Sequence, residues 1–89
     1  MNYIVPGNES LERVEKLLEL SGIRSEVLIK AIKRHMVNGD TIESASFMFD
    51  YDKDNLKRAV NKINKICGIV ESIKEMDWRH LNENKGERN

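Results

Sequence analysis

Side chains able to bind a polyanion are concentrated between residues 53 and 65. The stretch 53–67 holds five basic residues against one acid, Asp54, so its local charge is five minus one, or +4. Arg, Lys and Asn carry the donors that phosphate oxygens and base edges accept. The candidate DNA-binding residues are Lys53, Asn55, Lys57, Arg58, Asn61, Lys62 and Lys65. The alternative is a solvated helix face, the ordinary place for Lys.

The other reactive side chains follow no catalytic or metal-binding pattern. Cys67, His35 and His80 are far apart in sequence and lack the spacing of zinc ligands. Residues 50–54 are similar to the start of a calcium loop, but the Gly and the terminal Glu of such a loop are missing. The sequence has no Ser, His and acid grouping and no Gly-rich phosphate loop. It therefore predicts no enzyme, metal, cofactor or small-molecule substrate.

Length and composition favour one small all-α domain. The chain has 89 residues, of which 39% are hydrophobic and 6% aromatic, and Pro occurs once. Its apolar runs fall far short of the roughly 20 residues that cross a bilayer, so no membrane partner is expected. The N-terminus lacks a signal-peptide pattern, and a single Cys builds no disulfide framework. A cytoplasmic protein is expected, associated with the nucleoid when bound to DNA.

The charges of the chain balance in number but are separated along the sequence. Fifteen basic and fifteen acidic residues give zero net charge, which by itself argues against nucleic-acid binding. Residues 24–39, however, hold four basic residues and one acid, another +3. The acids lie elsewhere, chiefly at Glu9, Glu12, Glu15, Glu19, Asp40, Glu43, Asp50 and Asp52. A dipolar molecule is expected.

Apolar spacing predicts five helices within residues 9–81. They cover about 9–20, 26–37, 42–49, 53–67 and 69 to 78 or 81. The predicted N-caps are Asn8 or Ser10, then Ser25, Thr41 and Asp52. Gly22 and Gly39 are predicted to end the first two helices, and Gly68 is predicted to break or kink the fourth. Residues 1–8 are expected to form an arm, and the polar residues 82–89 a flexible tail.

The pattern over residues 42–63 is typical of a helix-turn-helix. Counting Ile42 as the first position, the inward positions are the fourth, eighth, tenth, fifteenth and eighteenth, occupied by Ala45, Phe49, Tyr51, Leu56 and Ala59. Ser46 is the small residue at the close approach of the two helices. Asp50 takes the position where Gly is common, since Asp tolerates the left-handed conformation. Helical hairpins in interaction modules give the same pattern.

Three acids stand where the second helix of this hairpin would first meet phosphates. They are Asp50, Asp52 and Asp54, and the sequence does not decide whether they abolish DNA binding. They weaken electrostatic approach at the N-terminal end of the helix. We therefore expect a tilted helix that uses Lys57, Arg58 and Asn61 rather than insertion of the helix end.

Several segments follow one another in order over about 5–76, namely residues 6–7, 21–26, 30–33 and 37–39 and the hairpin ending at 56–66. Their order and spacing give the chain a resemblance to the PapB family of adhesin-biosynthesis regulators. It implies a helical protein that binds AT-rich DNA near fimbrial promoters, oligomerises on it, and activates or represses according to occupancy. It also implies that Lys53, Lys57, Arg58, Asn61 and Lys62 belong to the DNA-contacting helix. In the family the turn has neutral Asn and Gly before an aromatic residue, whereas here residues 52–56 read Asp-Lys-Asp-Asn-Leu.

More apolar side chains are present than a core of this size buries, so a homo-oligomer is expected. The surplus includes Ile69, Ile73, Met76 and Trp78. Acids on one copy could then meet bases on another, which would account for the balanced charge. Two classes of function remain: a DNA-binding regulator, or an interaction module that keeps the fold and modulates a related regulator.

Overall fold

The protein is all-helical over the residues described by a computed structural model, which are 5–87 for the backbone and 5–81 for the side chains. Within that range there are four helices: α1 Leu11–Ser21, α2 Glu26–Met36, α3 Ile42–Met48 and α4 Lys53–Glu87. None of the helices in the described part is long and apolar enough to cross a membrane. Residues 1–4 of the predicted N-terminal arm lie outside the described range.

Polar caps fix where the four helices begin. The side chains of Ser10, Ser25 and Thr41 accept hydrogen bonds from the backbone N–H groups of Arg13, Leu28 and Ser44, at 3.1, 3.3 and 3.0 Å. Asp52 accepts one from Asp54 at 2.9 Å. Each bond satisfies a donor that the first turn of a helix leaves unpaired. The predicted caps are confirmed, with Ser10 rather than Asn8 capping α1.

The core lies where α1, α2 and α3 pack against the N-terminal half of α4. Its buried apolar side chains are Val14, Leu17, Leu18, Ala31, Ile32, Met36, Ala45, Leu56, Ala59, Ile63 and Cys67. They recur three or four residues apart on each helix, as burial of one helix face requires. Leu11 and Met48 are half exposed because they lie at the edge of these faces.

The two helices predicted for residues 53–67 and 69–81 are one continuous helix, so the prediction of five helices is wrong. Gly68 does not break α4 and is not among the glycines with positive φ. A Gly inside a helix costs about 1 kcal/mol relative to Ala. Packing offsets that cost here, because Arg13 of α1 contacts Cys67 before the glycine and Glu71 after it, at 3.1 and 2.7 Å.

The helical backbone of α4 extends as far as Glu87, into the segment 82–89 predicted to be a tail. Residues 88 and 89 lie outside the described range. The flexibility of the segment 82–89 stays a prediction.

The ion pair between Arg13 and Glu71 makes stability depend on pH. The hydrogen bond from Arg13 holds the pKa of the Glu71 carboxyl below its ordinary value of 4.5. A carboxyl with a lowered pKa in the folded state stabilises the fold above its ordinary pKa, and this stabilisation is lost as the pH falls. The pair, which joins α1 to α4, should therefore weaken in acid.

We expect Glu71→Gln to lower the free energy of unfolding at about pH 7 and to have a smaller effect at about pH 3, because the stabilisation from a carboxylate with a lowered pKa is lost as the pH falls. Urea unfolding followed by circular dichroism at both values tests this. Glu75→Gln, one turn further along α4 at an exposed position, is the matched control and should be neutral at both. An equal loss from Glu71→Gln at both pH values would contradict the assignment.

Two glycines fix the connection between α2 and α3 beside the N-terminal arm. Gly7 and Gly39 both have φ of +86°, and a Cβ on either would lie 3.3 Å from the Cα of the other. Gly7 also donates its N–H to the carbonyl of Met36 at 2.9 Å. Only Gly satisfies both the conformation and the close approach. The connection is held further by Asp40, which pairs with Arg34 and accepts a hydrogen bond from His35 Nδ1 at its carbonyl.

Candidate nucleic-acid interface

A tight turn joins α3 to α4 and fixes the angle between them. The N–H of Tyr51 donates to the carbonyl of Ser46 at 2.8 Å, across the end of α3. Asp50 has a φ of +49°, the only positive φ at a residue other than Gly in the described range. The prediction that Asp50 would adopt the left-handed conformation is confirmed. Asp52 follows directly and caps α4, so that the connection is complete within four residues.

The positions predicted to face inward in this hairpin pack against the core. Ala45, Leu56 and Ala59 are buried, while Ile42, Phe49 and Tyr51 are partly buried against them. Ser46 is also buried, and its hydroxyl donates to the carbonyl of Glu43 at 2.9 Å. A small residue lets α3 approach α4 closely at this point. Burial of one side of α4 leaves its opposite side to solvent.

All seven predicted site residues are exposed on the N-terminal half of α4. They are Lys53, Asn55, Lys57, Arg58, Asn61, Lys62 and Lys65, and together they form the surface we call the cationic face. At about 100° per residue, they spread around the side of the helix away from Leu56 and Ile63. Arg58 donates to the side-chain oxygen of Asn55 at 3.0 Å, one turn earlier. The predicted exposure of Lys53, Lys57, Arg58, Asn61, Lys62 and Lys65 is therefore confirmed, whereas their binding of DNA stays a prediction.

The basic side chains of the cationic face have no ion-pair partner in the part of the chain that the structure describes. Among the described residues, none of its five basic side chains forms an ion pair. The basic residues that do form ion pairs are Arg13, Lys16, Lys33, Arg34 and Lys74. Neighbouring cations without partners repel one another, and binding of an anionic ligand offsets this repulsion.

The second basic stretch, residues 24–39, is partly neutralised by folding. Lys33 Nζ lies 3.5 Å from a carboxylate oxygen of Glu15 in α1, and Arg34 pairs with Asp40. Sequence counting assigned +3 to this stretch but did not identify these partners, which come from other elements. Pairing makes α2 a poorer anion site than α4.

The acids near the start of α4 affect only one end of the cationic face. Lys53 and Lys57 line a groove of about 420 Å³ together with Asp40, Glu43 and Asp54. Lys62 and Lys65 lie eight residues or more beyond Asp54, which corresponds to about 12 Å or more along the helix axis. The electrostatic attraction for an anion is therefore strongest around Arg58, Lys62 and Lys65, beyond the first turn of α4.

Phe47 was not identified by sequence reasoning as a surface residue. Its side chain is 89% exposed on the outer side of α3, beside a shallow groove formed with Glu43, Asp50 and Lys53. Its position in the sequence could have indicated this exposure, because Phe47 does not share the spacing of Ile42, Ala45 and Phe49, which face the core. An exposed phenyl ring of this kind suits contact with another molecule.

Within the described part of the chain, His, Cys, Asp and Glu side chains form no group of three or more that could hold a metal ion.

Comparison with protein-family models, with curated proteins and with solved structures gives no match. Any assignment of function to the cationic face therefore depends on its own geometry and charge.

Proposed function

We propose that this chain is a DNA-binding transcription regulator in which α3, the turn and α4 act as a helix-turn-helix. The single observation that carries the proposal is the row of exposed cations on α4, which have no ion-pair partner among the described residues and lie beside amides that can donate to base edges. A short helix packed across the start of a longer one is the arrangement that presents such a face to a groove. The long α4 lies along the DNA with Arg58, Asn61 and Lys62 as its central contacts.

The resemblance to the PapB family gives the proposal its biological setting. On that basis the target is AT-rich DNA in the promoter region of a fimbrial or adhesin operon, occupied cooperatively by an oligomer in the cytoplasm. Regulation then follows from occupancy of neighbouring sites. The acidic residues in the turn, where the family has neutral ones, are expected to change the preferred DNA site.

A second candidate function is a protein-interaction module that modulates a related regulator. The exposed Phe47 and the neighbouring acids Glu43 and Asp50 favour it, because an exposed aromatic side chain with a polar rim is typical of a protein interface. In this alternative the cationic face of α4 is a solvated surface.

Titration of AT-rich duplex DNA with the purified chain at two salt concentrations separates the two candidates. A regulator that neutralises about four phosphates loses affinity with a slope of about −3.6 in log K against log salt, because each contact releases counterions. An interaction module shows no saturable binding at either salt concentration. Absence of binding to duplexes from its own promoter region at low salt would exclude the regulator.

Removing the acid within the cationic face should strengthen DNA binding. Asp54 is exposed and lies one turn before Arg58. We expect Asp54→Asn to raise the affinity for DNA by about twofold for each phosphate that lies within about 10 Å of this side chain. This factor corresponds to the Coulomb repulsion between two unit charges about 10 Å apart in water. Fluorescence anisotropy at low salt measures the change, and the effect should shrink at high salt.

Glu12→Gln is the matched control for Asp54→Asn. Glu12 lies in the first turn of α1, as Asp54 does in α4, and it is also exposed but lies away from the cationic face. It should leave affinity unchanged. An equal gain from both variants would mean that net charge, and not this face, determines binding.

A further inference from the structure

A groove lies where the N-terminal arm, the connection between α2 and α3, and the first turns of α4 meet. We call it the charged groove. Its volume of about 420 Å³ falls within the range of about 300–1,000 Å³ that is usual for small-molecule sites. Pro6 and Ile42 give it an apolar side, while most of its other lining residues are polar or charged. Its size and mixed lining suit a small polar molecule.

One wall of the charged groove is held in place by contacts within the chain. Gly7 packs closely against Gly39, and both have the left-handed conformation. On the same side, Asp40 pairs with Arg34 and accepts a hydrogen bond from the ring of His35. Because these contacts fix the wall before a ligand arrives, binding requires little ordering of the protein.

A buried histidine lines the charged groove. His35 is only 9% exposed, and its Nδ1 lies 2.7 Å from the carbonyl oxygen of Asp40. A carbonyl cannot donate a hydrogen bond, so Nδ1 carries a proton, and Nε2 of the neutral ring is then an acceptor. Among the described residues, Nε2 has no hydrogen-bond partner, whereas every fully enclosed side-chain nitrogen and oxygen has one. Nε2 therefore reaches the surface, and the groove is where a ligand can supply its donor.

Four exposed charges line the charged groove without pairing with one another. Glu43 and Asp54 supply two carboxylates, and Lys53 and Lys57 supply two ammonium groups. Within the described part of the chain, none of the four forms an ion pair. An anion alone would meet the two carboxylates, and a cation alone would meet the two ammonium groups. A ligand that carries both charges complements all four side chains.

We propose that the charged groove binds a free α-amino acid whose side chain is neutral and donates a hydrogen bond. The ammonium group of the ligand lies by Glu43 and Asp54. Its carboxylate lies against Lys53 and Lys57. Since Lys53 and Asp54 are consecutive in the sequence, the two charges of the ligand must be close together, as they are on one α-carbon. The side chain of the ligand donates to Nε2 of His35.

Lys53 and Lys57 belong to the charged groove and also to the cationic face. A carboxylate bound to them occupies donors that a phosphate would use, so the amino acid and DNA compete. This consequence rests on the proposed function, whereas binding of the amino acid does not. The amino acid is bound and released unchanged, and it is therefore an effector and not a substrate. Because coupling between two ligands is reciprocal, DNA weakens binding of the amino acid by the same factor.

Amide chemical-shift titration of the intact chain with L-glutamine, without DNA, tests the binding. This probe carries both charges on its α-carbon and a neutral amide donor at the end of its side chain. We expect saturable shifts at residues 39–43 and 53–57, with a dissociation constant in the millimolar range or below, as is usual for a ligand of this size. Absence of saturable shifts, or shifts confined to other residues, overturns the proposal.

Three related compounds test which groups of the ligand are recognised. N-Acetyl-L-glutamine lacks the ammonium group and L-glutaminamide lacks the carboxylate, so each should bind about tenfold more weakly than L-glutamine. L-Norleucine keeps both charges but has no side-chain donor for His35, and it should bind about fivefold more weakly. Equal binding of L-glutamine and either singly charged compound refutes the zwitterion. Equal binding of L-norleucine refutes the donor to His35.

Glu43→Gln tests the location of the site. It removes one carboxylate from the charged groove and should weaken binding of L-glutamine by about threefold, the size of one exposed charge pair. Glu12→Gln is the matched control, because Glu12 lies in the first turn of α1, as Glu43 does in α3, and does not line the groove. Circular dichroism should show both variants folded. An equal effect of the two substitutions contradicts the assignment.

Fluorescence anisotropy with AT-rich duplex DNA tests the competition. Saturating L-glutamine should lower the affinity for DNA by about tenfold at about 0.1 M salt, the size of one lost phosphate contact. A chain that binds L-glutamine but no duplex DNA retains this inference and loses the proposed function. A chain that binds DNA equally well with and without saturating L-glutamine refutes the competition.

Discussion

Replacing Arg58 and Lys62 together by Ala should lower the affinity for AT-rich duplex DNA by about 50-fold at about 0.1 M salt, because each lost phosphate contact removes a factor of almost ten at that ionic strength. The slope of log K against log salt should fall in magnitude by about 2. Both residues are exposed at the centre of the cationic face, and neither forms an ion pair within the described residues. Their removal should therefore leave the fold intact. Fluorescence anisotropy at several salt concentrations measures both quantities.

The matched control is a double variant with the same change in charge elsewhere. Lys16 in α1 and Lys30 in α2 are exposed and lie outside the cationic face. Lys16→Ala with Lys30→Ala should reduce affinity only slightly, through the longer-range field that salt screens. If the two double variants lose affinity equally, binding depends on total charge and the cationic face is not the interface.

Leu56→Ala should lower the free energy of unfolding by about 2–5 kcal/mol, the usual range for Leu→Ala in a core. Leu56 is fully buried one turn into α4 and belongs to the cluster that joins α3 to α4. Small domains have a total stability of only about 5–15 kcal/mol, so this substitution removes a large share. Urea unfolding followed by circular dichroism measures the change.

Leu20→Ala is the control for Leu56→Ala. Leu20 is 64% exposed near the end of α1, and its truncation should change stability by about 0.5 kcal/mol or less. A similar loss for both variants would contradict the packing of α4 on the core, and with it the positioning of the cationic face.

The local features of the fold were predictable because short-range chemistry determines them. Ser25, Thr41 and Asp52 cap helices through hydrogen bonds to residues two or three positions away. The left-handed Asp50 and the inward spacing around Leu56 are likewise readable within one or two turns. The exposure of the cationic face followed directly, since one side of an amphipathic helix must face solvent.

The missed features depend on partners distant in sequence. The continuity of α4 through Gly68 involves Arg13, which lies more than 50 residues before Cys67 and Glu71. The neutralisation of Lys33 likewise depends on Glu15 in another helix. Neither pairing has a signature in one sequence, because ion-pair geometry arises only after the helices pack. The exposure of Phe47 also depends on how the helices pack, because no element in the described part of the chain covers its side chain.

The most direct test of the cationic face is amide chemical-shift mapping by nuclear magnetic resonance during titration with AT-rich duplex DNA. The proposed function predicts that the largest changes fall on residues 53–65, with small changes along α1. Absence of shifts at low salt, or shifts concentrated around Phe47 or along α1 and not α4, would contradict the assignment of this face to DNA.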